Sequence, residues 1–263
     1  MNGSPDQNML VSFPMYARKE VAESYDRFWN AVRSNLLEVG IQAPRDLTSV
    51  EDLLAHWMSP RLLISQTCGM PYRNHLHNCV SLIGTPDYGH EECRAGYYRS
   101  AIVVRAADSR PNLAAYSGAL FAYNDMGSQS GISAPLNHAA THGVHFSRWV
   151  QSHAHTNSAR MVASGEADIA AIDALSWKQI NRYDSFAASL RVLDWTEPAT
   201  PTLPFITSKT QNAELLYQAL AQAIDSLSEI DQAVTSLRGL VKISEEEYRS
   251  VANPPVLPVE TSQ

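Results

Sequence analysis

The chain has 263 residues, 44% of them hydrophobic and 18% charged, with 12 Gly and 14 Pro, which excludes collagen, coiled coil and low-complexity disorder. It carries 20 Lys plus Arg against 27 Asp plus Glu, a net charge of −7, and has no basic run, so a general nucleic-acid or anionic-membrane surface is not expected. Small anions are not excluded, because local amides can hold them whatever the net charge. The length allows one large domain or two of about 120 residues.

Met9–Phe13 is a short apolar run that predicts a strand, ended by Pro14. Glu20–Leu37 places Val21, Tyr25, Phe28, Trp29, Val32 and Leu36 at helical spacing, with Gly40 as a stop. Thr48 and Glu51 fit a capping box, predicting a second helix that ends before Pro60. Arg61–Ser65, Val80–Gly84, Ser100–Arg105 and Leu120–Tyr123 read as buried strands. The polar loop 124–131 follows, and a helix starting inside it is predicted to reach about Thr141. Val144–Val150 is strand-like, Thr156–Ala163 helical up to Gly165, Ala167–Ile172 a strand and Ala174–Asn181 a helix. Leu190–Trp195 and Leu203–Thr207 are predicted strands; Asn212–Leu227 is an amphipathic helix, and the helical signal continues over Glu229–Val241. The last ten residues carry three Pro and read as a tail. The alternation points to an α/β protein whose ligands would sit at the carboxyl ends of strands.

The segments after the strands are therefore the candidates. Gly127, Ser128, Gln129, Ser130 and Gly131 lie between a strand and a helix start, where free amides and two hydroxyls can cradle an anion; an ordinary capped helix start is the competing reading. The loop is neither GxGxxG, nor a P-loop, nor GxSxG. His153 stands where it could donate to an oxyanion, or where it or Ser152 could cap a helix. Asp173 ends a strand and could accept from a ligand or cap the next helix. Tyr16, Thr67 and Tyr97 could wall a cleft or simply pack.

Other constellations are weaker. Alternation would put His75, His77 and Cys79 on one face of an extended segment, but the spacing matches no zinc module, and no metal or other cofactor is expected. Cys68, Cys79 and Cys93 are not a disulfide framework; buried thiols are expected, with one bridge open as an alternative. No transmembrane-length apolar stretch and no secretory signal is seen in the sequence as written, which favours a cytoplasmic location or a removed signal.

Taken in order, Tyr97-Tyr98-Arg99-Ser100 leading into a strand, Asn124-Asp125-x-x-Ser128-x-Ser130-Gly131 with Pro135, Ser152-His153, the run Ser164–Asp173 and Leu203–Thr207 resemble the phosphate/phosphonate-type substrate-binding proteins of ABC transporters. The resemblance runs from about Met9 to Ala223. It implies a two-lobed type II periplasmic-binding-protein-like α/β fold with a central ligand cleft, lobe one being 1–105 plus 195–263 and lobe two 106–194. By match, Ser128, Gln129 and Ser130 would take the phosphonate or phosphate oxygens, with Gln129 standing where many members have Thr. His153 would match the cleft histidine, Tyr97 an aromatic wall, Tyr16 a first-strand aromatic and Asp173 the partner of a ligand amine. The expected function is capture of a small oxyanion by ligand-biased hinge closure, for transport or as a cytoplasmic sensor or carrier. Membrane subunits of a transporter are partners if the chain is exported. Two alternatives are an enzyme on the same scaffold, using His153 or Cys68, and an interaction protein with a vestigial cleft.

Overall fold

In a computed structural model, residues 9–255 are described. In chain order the elements are β1 (Leu10–Ser12), α1 (Ala22–Glu38), α2 (Leu53–Trp57), β2 (Leu62–Gln66), α3 (Gly69–Pro71) running into a π-helical turn Tyr72–Leu76, β3 (Val80–Asp87), β4 (Tyr97–Tyr98), β5 (Ser100–Arg105) and β6 (Leu120–Tyr123). A π-helical turn Gln129–Ser133 opens α4 (Ala134–Thr141), followed by β7 (Arg148–Gln151), α5 (His155–Ser164), β8 (Ile169–Asp173), α6 (Ala174–Tyr183), β9 (Leu190–Trp195), β10 (Thr200–Pro201) and β11 (Phe205–Ser208). The chain ends with α7 (Ala213–Asp225), α8 (Glu229–Thr235), β12 (Gly239–Val241) and α9 (Glu245–Arg249).

Residues 9–97 together with Pro201–Arg249 form one compact unit. Tyr98–Thr200 and residues 250–255 form the other. The first unit carries a five-stranded sheet in the order β1-β2-β11-β3-β12, with β1 and β2 parallel and β11 antiparallel to both its neighbours. The second carries the order β7-β6-β8-β5-β9, with β7, β6 and β8 parallel and β5 antiparallel to β8 and β9. The expected α/β class holds, but each sheet is mixed. β5 and β11 follow the chain's crossings between units almost directly, so they run against strands that are reached through helices.

Helix α1 buries Tyr25, Phe28, Trp29, Val32 and Leu36, the stripe that its 3.6-residue period predicts, and packs on α7. Each such side chain contributes about 1.5–3 kcal/mol relative to exposure. Trp57, Leu62, Tyr72, Val80, Ile206 and Tyr248 form one core cluster of the first unit. In the second, Ala101, Val103, Ala170 and Ile172 pack under Ala159, Val162, Trp177 and Ile180 of α5 and α6. Small alanines on the strands let these helices lie close to the sheet.

Four local expectations are corrected. Thr48 does not cap α2: its Oγ1 accepts from the Val11 N–H (3.1 Å), and Asp52 is the cap, accepting from the Ala55 N–H (3.0 Å). The helical signal over Glu229–Val241 breaks at Ser236, which takes φ 60, and the remainder becomes β12. His75 lies in a helical turn, so His75, His77 and Cys79 do not form one extended face. Cys79 is exposed and Cys68 and Cys93 are half-buried, so the thiols are not core residues. Of the expected tail, residues 256–263 lie outside the described residues. No described helix is long and apolar enough to cross a membrane.

Candidate functional site

Strand β6 ends at Tyr123 and delivers a tightly wound loop. The Gly127 N–H donates to Asp125 Oδ1 (2.7 Å) and the Ser128 N–H to the Asp125 carbonyl (3.0 Å), an Asx turn that reverses the chain. Ser128 is extended (φ −79, ψ 124) and its Oγ accepts from the Gly131 N–H at 2.9 Å. The Ser133 N–H then donates to the Ser128 carbonyl (3.1 Å), which widens the first turn into π geometry. Ser128, Gln129 and Ser130 are at most 5% exposed. First-turn amides of a helix lack intrahelical partners and carry its positive end, so this turn offers donors to an anion.

Gly131 is required by close approach. A Cβ there would lie 1.8 Å from Asn124 Oδ1, so the Asn124 side chain would have to swing away. Asn124 Oδ1 is itself buried without a hydrogen-bond partner.

The histidine joined to this turn is His155. Its Nε2 lies 2.9 Å from Ser130 Oγ. Burial pushes its pKa down from the ordinary 6.5 to about 4, against a smaller upward pull from the Ala171 carbonyl, so the ring is neutral at pH 7. His153, which the sequence reading singled out, is exposed and left-handed (φ 65). Between strand β7 and helix α5 the chain makes one tight reversal, and the helix begins at His155 rather than Thr156. Ser152 is buried, with Oγ within reach of the Tyr123 carbonyl (3.1 Å) and the Ser158 hydroxyl (2.6 Å); it fastens α5 to β6.

Asp173 ends β8 and caps α6, its Oδ1 accepting from the Ser176 N–H (2.9 Å). It sits directly opposite Ser100 in the β5–β8 register, and the buried Ser100 Oγ has no hydrogen-bond partner.

The other candidates belong to the first unit. Tyr16 is buried edge-on to Tyr88, with ring centroids 5.3 Å apart and planes at 77°. Gln66 Nε2 donates to the Tyr88 hydroxyl (2.9 Å). Thr67 is fully buried and its N–H donates to the Pro204 carbonyl (3.1 Å). The Tyr97 hydroxyl is held by Glu247 Oε1 (3.0 Å) and by Arg94, whose guanidinium also covers the ring at 3.8 Å. Cys68 precedes α3, half-buried.

Residues 12–248 match the family described as ABC transporter, phosphonate, periplasmic substrate-binding protein. The chain belongs to that family. Comparison with curated protein sequences returns no match. Among solved structures, PhnD1 from Prochlorococcus marinus (MIT 9301) in complex with methylphosphonate is similar at 15% identity and TM-score 0.71, over 93% of this chain and 96% of that one. A binding protein component of an ABC phosphonate transporter from Pseudomonas aeruginosa gives 14% and 0.68, over 92% and 83%. XAC2383 from Xanthomonas citri bound to ATP gives 14% and 0.68, over 93% and 94%. These likenesses carry the two-lobed periplasmic-binding-protein-like fold; the family carries a solute-binding role for small oxyanions. A family of periplasmic binding proteins gives no support to the cytoplasmic expectation or to the enzyme alternative.

Proposed function

We propose that this member of the family binds a phosphonate- or phosphate-like anion on the turn Ser128–Gly131, with His155 as its supporting residue, and delivers it to the membrane subunits of an ABC transporter. The observation that carries this reading is the 2.9 Å contact between Ser130 Oγ and His155 Nε2 at the opening of the π turn. In the Nε2–H tautomer of the neutral ring, the imidazole donates to Ser130 Oγ and leaves the Ser130 hydroxyl proton for an anion oxygen. The Ser128 hydroxyl proton is available in the same way, because its oxygen already accepts from Gly131. Amides and hydroxyls of this kind satisfy three tetrahedral oxygens without a cation. Hydrogen bonds to a charged group are worth about 1.5–3 kcal/mol each, so four or five reach micromolar affinity after association costs.

Asp173 is proposed as a further ligand contact, and Tyr16, Thr67 and Tyr97 as contacts carried by the first unit. His153 is not retained in this reading, since its side chain is exposed. Calorimetric titration with methylphosphonate and with inorganic phosphate tests the proposal. Wild type is expected to bind one or both at micromolar concentration, and the Ser128→Ala/Ser130→Ala double variant to lose binding while staying folded, destabilised by about 1 kcal/mol through the lost Ser128 cap. Undiminished affinity in the double variant would remove the turn from the site.

A further inference from the structure

Tyr97 closes one stretch of the first unit, and its hydroxyl is committed inside that unit. Helix α9 opens with a reciprocal capping box. The Glu247 N–H donates to Ser244 Oγ (3.2 Å), while the Ser244 N–H (3.1 Å) and hydroxyl (3.2 Å) donate to Glu247 Oε2. The box fixes the carboxylate and leaves Oε1 for Tyr97, whose hydroxyl donates to it at 3.0 Å. Arg94 donates both to the Tyr97 oxygen and to Glu247 Oε1. The Ser244 N–H, helped by Arg94 and Tyr97, holds the Glu247 pKa down to about 2, so at pH 7 the carboxylate only accepts.

The element that delivers Glu247 is anchored in the core. Tyr248, the next residue, is buried edge-on to Tyr72, with ring centroids 5.3 Å apart. Its hydroxyl donates to the Thr202 carbonyl (2.8 Å) and takes the Thr85 hydroxyl as donor (2.8 Å). On the other side, the Tyr97 N–H donates to the Arg94 carbonyl (3.0 Å), and the Arg94 guanidinium lies 3.8 Å over the ring, so the phenol and its cation share one turn. A phenol has one proton to give. With that proton on Glu247 and the oxygen accepting from Arg94, Tyr97 offers a ligand carbon and no free donor. Methylphosphonate and inorganic phosphate both bring three oxygens to a donor-rich turn. They differ in the fourth substituent on phosphorus, a methyl group in one and an oxygen in the other. An oxygen against a wall without a donor stays unsatisfied, whereas a methyl group loses nothing there.

We propose that Glu247 is a positioning and specificity-determining residue: by holding the Tyr97 hydroxyl it presents the ring as an apolar wall and biases binding toward carbon-substituted phosphonates over inorganic phosphate. This rests on the reading of Tyr97 as a ligand contact.

The test is the ratio of calorimetric Kd values for inorganic phosphate and methylphosphonate, in wild type and in Glu247→Gln. Glutamine serves the capping box through its carbonyl oxygen and turns an amide N–H toward Tyr97, which releases the phenol proton. The preference for methylphosphonate is expected to fall about fivefold or more through tighter phosphate binding, the worth of one hydrogen bond. In a Tyr97→Phe background the same substitution is expected to move the ratio no further. Ser244→Ala, which unties the carboxylate from its other side, is expected to move it in the same direction by a smaller factor. An unchanged ratio in Glu247→Gln overturns the proposal, and so does equal weakening of both ligands, the mark of a capping role alone. A shift that persists without the phenol also overturns it and assigns the effect to the charge of Arg94. If wild type binds neither ligand, this inference and the anion-binding reading fall together. If the Ser128→Ala/Ser130→Ala variant loses both ligands while Glu247→Gln leaves the ratio unmoved, only this inference falls.

Discussion

Ser130 and His155 are 25 positions apart in the chain, and their pairing joins two strand-to-helix transitions of one sheet. Burial holds the imidazole neutral, and this has a consequence for stability. A histidine whose folded pKa lies below its unfolded value binds fewer protons in the native state. Its contribution is therefore intact above about pH 6.5 and is lost as pH falls from there toward 4. His155→Gln keeps a donor near Ser130 and cannot charge, so its melting temperature is expected to fall less than that of wild type between pH 6.5 and 4. A thermal melt series over that range reads the difference; parallel curves would mean that the ring is not the titrating group. Ser130→Ala is expected to weaken methylphosphonate binding about 10–100-fold by calorimetry, the loss of one hydrogen bond to a charged oxygen.

The π-opened helix and its neighbours act as a frame around those side chains. Gly131→Ala is expected to cost about 1–3 kcal/mol in denaturant unfolding, since the new methyl overlaps Asn124 Oδ1 and that side chain must swing away. Asn124→Ala in the same chain is expected to recover part of that loss, because it removes the opposing atom. In the first unit, α8 is tied to α1 by Arg27, which donates to Asp231 through Nε (3.1 Å) and Nη2 (2.7 Å). The hydrogen bonds from Arg27 hold the Asp231 pKa down to about 2 from the ordinary 3.8. A depressed carboxylate contributes above its unfolded pKa and loses that contribution as pH falls through the folded one. Asp231→Asn is thus expected to lower the melting temperature at pH 7 and to converge with wild type near pH 2. Persistence of the difference at that pH would assign the effect to packing instead.

The chain as a whole combines an acidic net charge with affinity for an anion, which is consistent only if the donors are local. Binding at a hundredfold excess over Kd is expected to raise the melting temperature by several degrees, about 2.7 kcal/mol of linkage. The strands β5, β6 and β9 and the helix α1 were legible with near-exact bounds, because their apolar periods are strong and their ends carry turn residues. The Ser128–Gly131 turn was legible for the same reason: small polar residues between a strand and a helix leave few alternatives. His155 was not. The segment His153-Ala154-His155 offers two histidines, and only the register at which α5 leaves its strand decides which ring meets Ser130 and which faces water. β12 was hidden because Glu229–Val241 keeps helical periodicity, and a single left-handed residue, Ser236, diverts it into the sheet. Sheet direction was equally invisible: a parallel and an antiparallel neighbour impose the same alternation on β5. The amino-acid sequence by itself determined the class of fold, the family and the small-residue turn, since these rest on local spacing and on the order of short motifs along the chain. Tertiary structure alone decided which imidazole meets Ser130 and how the strands pair, because each depends on packing between segments distant in the chain.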